Sequence, residues 1–237
     1  MPREFDRKSF LSQHPWLRRV TSVAFLILAG LLFAIFVFRF LNTTITPVMI
    51  SEKLRGTTFA RHWVPLANIS PNLPLAVIAS EDGRFCNHWG VDWSAVKEAV
   101  EAADDLSDFR GASTIPMQTV KNLYLWSQRS YVRKSLEVPL AYLLSALWPK
   151  QVVIETYLNV APWGPGIVGV EAASRYYFNK SADALTLKES TLLAAALPSP
   201  ILRNPAKPSS RMLAKAQWIE MNMQRIVSRS ACVLVDR

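Results

Sequence analysis

The run from Val20 to Phe38, VTSVAFLILAGLLFAIFVF, contains neither a charge nor a proline. As a helix rising ~1.5 Å per residue it is long enough to cross a hydrocarbon core of roughly 30 Å. We read residues 20–41 as a transmembrane helix. A cleaved signal peptide is the alternative. The run is longer than the ~7–15 apolar residues of such a segment, and Arg39, Phe40, Leu41 and Asn42 come next where a small-x-small cleavage site would stand.

Arg3, Arg7, Lys8, Arg18 and Arg19 precede the run. The positive-inside bias keeps residues 1–19 cytoplasmic and sends the C-terminal domain to the outer face of the cytoplasmic membrane, as a single-pass protein. The formal net charge of +9 calls for anionic partners, either lipid headgroups or a phosphate-bearing substrate. Outward topology argues against nucleic acid. With 50% hydrophobic and 19% charged residues the chain is not disordered, and its 237 residues allow one anchor and one domain. Cys86 and Cys232 are the only cysteines, and nothing in their positions fixes a pair, so no disulfide is expected. His14, His62 and His88 are scattered and no HExxH occurs, so no metal site built by protein alone is expected.

Residues 42–73, with Pro47, Pro65 and Pro71, read as a connector, and the folded core is expected from Pro74. LPLAVIASED reads as a helix with Pro74 in its first turn, ending in Glu81 and Asp82. Ser130–Trp148 reads as an amphipathic helix carrying Arg133 and Glu137 four apart, bent by Pro139. Further helices are expected from about Lys150 to Asn159, after the capping box of Thr186 and Glu189, and through Met212, Ile219, Met223 and Ile226. No strand of useful length is visible. The expectation is an all-α domain over 74–228, followed by a basic tail over 229–237.

The densest polar cluster, Glu81-Asp82-Gly83-Arg84-Phe85-Cys86-Asn87-His88-Trp89-Gly90-Val91-Asp92, lies in a loop after an apolar helix. One reading is that Glu81 and Asp82 only charge a helix end. Acids there oppose the helix dipole by ~0.3–1 kcal/mol, which points instead to a functional carboxylate. In the next cluster Gly111 to Thr114 offers backbone N–H donors and hydroxyls, and Lys121 offers a compact cation for phosphate. Arg133 with Glu137 reads, by itself, as an ordinary i,i+4 surface pair.

Taken together these stretches resemble the family-51 glycosyltransferases, the peptidoglycan polymerases of bacteria, over roughly residues 60–200. The motif E-D-x-x-F-x-x-H-x-G-x-D is met at Glu81, Asp82, Phe85, His88, Gly90 and Asp92. G-G-S-T-I-x-x-Q-x-x-K-N is met at Gly111, Ser113, Thr114, Ile115, Gln118, Lys121 and Asn122, and R-K-x-x-E at Arg133, Lys134 and Glu137. Glu155, Tyr157 and Asn159 recur in a fourth motif, read as holding their helix and the Trp163-Gly164-Pro165-Gly166 turn. Two departures stand out. Ala112 replaces a glycine, and Pro116-Met117 replaces a more polar pair, with Met117 removing one hydrogen bond near the substrate.

The resemblance implies a lysozyme-like helical domain with a smaller membrane-facing lobe. The implied activity is polymerisation of lipid II, the undecaprenyl-pyrophosphate-linked disaccharide-pentapeptide, into β-1,4 glycan. Glu81 is implied as catalytic base and Glu137 as the second catalytic acid. Ser113, Thr114, Gln118, Lys121, Arg133 and Lys134 would hold substrate and pyrophosphate, and Asp82, Phe85, His88 and Gly90 would support the loop. No cofactor is strictly required, with Mg²⁺ or another divalent cation near Glu137 as an optional addition. Implied partners are lipid II, the growing glycan, membrane lipid and division or elongation proteins. With no Ser-x-x-Lys before a second domain, the chain resembles the monofunctional form. The rival readings are a catalytically silent membrane scaffold and a glycan-cleaving enzyme with paired carboxylates.

Overall fold

The computed structural model describes residues 15–41, 46–54, 62–102, 113–128 and 130–233. Arg3, Arg7, Lys8, Gly111, Ala112 and residues 234–237 of the expected tail lie outside the described residues. The chain divides into two compact units, 1–41 and 42–237. The first contains helix α1, Pro15–Phe38, which begins before the apolar run and takes in Arg18 and Arg19. It is long and apolar enough to cross a membrane, which fits a single-pass inner-membrane protein.

Among the described residues the second unit is all-α apart from one small hairpin. Its elements are α2 (Pro47–Leu54), α3 (Asn72–Glu81), α4 (Trp93–Glu101), α5 (Ile115–Tyr124), α6 (Tyr131–Leu147) and α7 (Lys150–Val160), then β1 (Pro162–Gly164) and β2 (Ile167–Val168), then α8 (Val170–Phe178), α9 (Leu187–Ala196) and α10 (Ser210–Ile226). This agrees with a lysozyme-like helical domain. Two helix groups organise it: α3 packs against α9 and α10, while α5 packs against α6 and α7.

Hydrophobic burial explains the grouping. In α3 the side chains of Leu73, Pro74, Ala76, Val77, Ile78 and Ala79 are all buried, so the helix is apolar around its circumference and must be surrounded. Residues 190–196 of α9 are buried in the same way. Local signals set the ends. Thr186 and Glu189 form the expected capping box, Ser130 accepts from the Arg133 N–H at 3.1 Å, and Asp92 accepts from the Ala95 N–H at 3.0 Å. Pro116 stands in the first turn of α5, where its missing N–H removes no helical bond.

Several elements were not anticipated. Helix α4 buries none of its side chains, although Trp93, Val96 and Val100 stand at helical spacing along one edge. The hairpin strands are three and two residues long, too short for an alternating pattern. The stretch expected as a connector also enters the core. Ile69 is fully buried, the Ser70 N–H donates to the Ala182 carbonyl at 2.9 Å, and the Leu66 N–H donates to Glu155 at 2.8 Å. Asn159 clasps Val64 by both its N–H and its carbonyl at 2.9 Å. Glu155 and Asn159 therefore anchor the chain before α3, whereas the Trp163 indole is held by the Leu158 carbonyl at 3.2 Å.

The expectation of unpaired cysteines is also overturned. Cys86, in the turn Phe85–Asn87, is disulfide-bonded to Cys232, in the turn Ala231–Val233, with Cα atoms 5.8 Å apart. The two are 146 residues apart in sequence, so only the fold brings them together. Ser230 and Val233, from the expected tail, are buried beside this link.

Candidate active site

Glu81 ends α3 where the two helix groups meet. Its Oε2 accepts from Gln118 Nε2 at 2.9 Å, its Oε1 accepts from the Ser80 hydroxyl at 3.3 Å, and the Tyr157 hydroxyl donates to Gln118 Oε1 at 3.2 Å. A relay Tyr157–Gln118–Glu81 thus crosses from α7 through α5 to α3. Burial raises the pKa of Glu81 from its ordinary value, against the opposing pull of Gln118, Ser80, Lys215 and Lys121. This carboxylate is reachable from a cleft of about 480 Å³ that it shares with Ser80, Asp82, Arg84, Ser113, Trp218 and Asn222.

Asp82 has a different task. Its Oδ2 accepts from the Ile115 N–H at 2.9 Å, at the N-terminus of α5, and its Oδ1 lies 2.8 Å from His88 Nε2. The acid that stood unfavourably at one helix's end stands favourably at another's start. Because the Gly90 N–H donates to His88 Nδ1 at 3.2 Å, the ring's proton is on Nε2 and points at Asp82. Lys150 Nζ donates to the His88 carbonyl at 2.7 Å and lies 4.4 Å from the Phe85 ring centroid. Burial brings the Lys150 pKa down to about 8, with Asp82 opposing.

Gly90 has φ +103°, and a Cβ there would lie 2.5 Å from the Ala141 carbonyl oxygen. Gly90→Ala is expected to cost about 2–4 kcal/mol from backbone strain and the clash together. Urea unfolding measures it, and an unchanged midpoint would refute this account of the loop.

The second cluster lies on α5 and α6. Glu137 is buried, with its Oε1 2.8 Å from Arg133 and its Oε2 3.0 Å from Lys134, whose ammonium also donates to Ser113 Oγ at 2.5 Å. Lys121, whose pKa is lowered by burial, lies within electrostatic reach of both Glu137 and Glu81. Arg133 is 8% exposed, and its Nε has no hydrogen-bond partner among the described residues. A buried guanidinium donor without a partner suits an anionic ligand.

Ser113, Gln118, Lys121, Arg133, Lys134 and Glu137 are thus brought together with Glu81, with two changes of role. Thr114 Oγ1 accepts from the Met117 N–H at 3.3 Å and donates to the Gly90 carbonyl at 2.5 Å, so its hydroxyl closes the loop at the edge of the cleft that the residue lines. The amide of Gln118 is engaged at both ends by Glu81 and Tyr157 and positions the carboxylate. Met117 is 3% exposed, so its side chain belongs to the core and not to the cleft. Tyr157, read from sequence as structural, belongs to the relay. Its place between buried neighbours on α7 gave no signal of that.

The residues present do not fit a protein-held Mg²⁺ at Glu137. Its oxygens already face two cations, a third lies nearby, and no group of three or more metal-ligating side chains occurs among the described residues. A second cavity, of about 520 Å³, is bounded by Trp63, Glu171, Arg175 and Asp183 and holds none of the expected site residues.

An all-α domain with one carboxylate open to a cleft, and a second locked among cations, is the arrangement of an enzyme that pairs general-base chemistry with the binding of an anionic group. A family model described as Transglycosylase matches residues 49–224, and the chain belongs to that family. It is 44% identical over 215 residues to the biosynthetic peptidoglycan transglycosylase of Agrobacterium fabrum, covering 91% of this chain and 95% of that one. The protein of the same description from Rhizobium meliloti is 40% identical over 227 residues, covering 94% and 96% of the two chains. The one from Brucella suis is 49% identical over 173 residues, covering 73% and 77%.

Proposed function

We propose that this protein is a peptidoglycan glycosyltransferase of cell-wall synthesis that polymerises lipid II, with Glu81 as the base. The observation that carries the assignment is the separation of roles: Glu81 lies in the cleft held by Gln118, and the buried Arg133 and the partly exposed Lys134 gather around the buried Glu137.

The reaction joins the 4-hydroxyl of one GlcNAc to the anomeric carbon of a lipid-linked chain. Glu81 takes the hydroxyl proton as the oxygen attacks, and the bond to the pyrophosphate breaks with its electron pair on the leaving oxygen. Attack from the opposite face inverts the centre and gives a β-1,4 link. The leaving charge is met by Lys121, Arg133 and Lys134, which Glu137 orients. Burial of Lys121 and Arg133 strengthens their attraction beyond what exposed cations would give. Helix α1 anchors the domain at the periplasmic face, where the lipid substrate is presented.

The test is polymerisation of purified lipid II by the detergent-solubilised protein, followed as glycan length and across pH. An ordinary glutamate titrates near 4.5, and burial places Glu81 higher. The base must be ionised to act, so kcat/KM falls as pH drops through this raised value. Gln118→Ala removes a hydrogen bond that favours the ionised form, so the acid limb moves to still higher pH. A limb unmoved by that change would remove Gln118 from its role. Absence of polymer from folded wild-type protein would favour the scaffold reading, and shortening of preformed glycan would favour the hydrolase.

A further inference from the structure

One wall of the cleft belongs to no expected motif. Trp218, Asn222 and Ile226 stand four apart on α10, so they share one edge of that helix, and all three line the cleft that contains Glu81. Trp218 is 44% exposed. Lys215 Nζ lies 3.7 Å from its ring centroid, a cation-π contact that fixes the indole. Asn222 Nδ2 donates to the Trp218 carbonyl at 2.8 Å, which sets the amide's orientation.

The charge of the cleft says what such a wall meets. The lining includes Glu81, Asp82, Asp92 and Glu98 against the guanidiniums of Arg84 and Arg229. Arg84 is already engaged by Asp92 at 2.7 Å and by Glu98 at 3.0 Å. This part of the cleft does not suit a pyrophosphate. It suits a neutral ligand rich in hydroxyls, with carboxylates to accept its O–H groups and an aromatic surface for its C–H face. The cations that suit phosphate, Lys121, Arg133 and Lys134, lie beyond Ser113.

Resting on the lipid II reading, we infer that Trp218 and Asn222 form the platform that holds an N-acetylated pyranose of the substrate opposite Glu81. The indole stacks against the sugar's C–H face, and the Asn222 side-chain oxygen accepts from the acetamido N–H. Trp218 is a specificity-determining contact for the sugar and takes no part in proton transfer.

The experiment measures binding of lipid II and of undecaprenyl pyrophosphate alone to full-length protein carrying Glu81→Gln, so that nothing turns over. Adding Trp218→Ala weakens lipid II binding about tenfold and leaves bare undecaprenyl pyrophosphate within twofold, while Trp218→Phe retains most of the affinity. In the active protein, Trp218→Ala raises KM for lipid II by a similar factor with kcat within about threefold. If Trp218→Ala fails to fold, Trp218→Leu, which keeps apolar volume without a π face, carries the same expectation. Unchanged lipid II binding overturns the inference, and so does an equal loss for both ligands. Failure of the wild type to make polymer would instead overturn the function, so the two failures are distinguishable.

Discussion

Glu81→Gln abolishes glycan synthesis, with a loss on the order of 10²–10⁴ in kcat, while leaving the fold at least as stable as the wild type. The two halves of this expectation have one cause. Burial raises the pKa of Glu81, which means the folded protein disfavours the ionised form. For a carboxyl shifted upward, that cost appears as pH rises from the ordinary value through the raised one and persists at neutral pH. A neutral glutamine removes it and still accepts the hydrogen bond from Gln118. The thermal midpoint at pH 7 is therefore equal or higher in the variant. Polymer from Glu81→Gln at near wild-type rate would end the assignment of the base. Loss of activity together with a marked fall in midpoint would mean that the carboxylate is structural.

Reduction of Cys86–Cys232 is the second large effect. The link closes a loop with a sequence separation of 146, and constraining so long a loop removes about 4–5 kcal/mol of chain entropy from the unfolded state. At ~2–4 °C per kcal/mol for a domain of this size, reductant lowers the melting midpoint by about 10–15 °C. The bond also joins the turn after Glu81 and Asp82 to the segment after α10, which carries a wall of the cleft, so activity is lost before the helices melt. Scanning calorimetry with and without reductant, beside the double Cys→Ser variant, measures this. An unchanged midpoint would show that packing around Ser230 and Val233 holds the two segments without the bond.

The helical character and much of the site are legible in sequence because they depend on local rules. The apolar run of α1 and the capping box at Thr186 and Glu189 depend on short stretches of chain, and each stands where expected. The carboxylates and cations are visible as spaced motifs, and the fold gathers Glu81, Lys121, Arg133, Lys134 and Glu137 as a set.

Long-range partners are a different matter. Glu81 and Asp82 are neighbours of the same chemistry at one helix end, and only the motif resemblance, not their local chemistry, separates their expected roles. Tertiary packing brings the start of α5 to Asp82, which satisfies its charge with the Ile115 N–H and His88. Glu81 receives only side-chain donors and a desolvated position in the cleft. Thr114 and Gln118 sit in a motif that suggests substrate contact, yet their polar atoms are engaged by groups from other elements. The cysteine pair, the clasp of Glu155 and Asn159 on residues 64–66 and the Trp218 wall likewise join segments far apart in sequence. Sequence by itself determined which residues can carry charge, form helices and enter lipid, because those properties belong to side chains and short periods. The tertiary structure decided how each of the two acids is held, Asp82 by the Ile115 N–H and His88 and Glu81 by side chains at the cleft, because that depends on which donors from distant segments reach them.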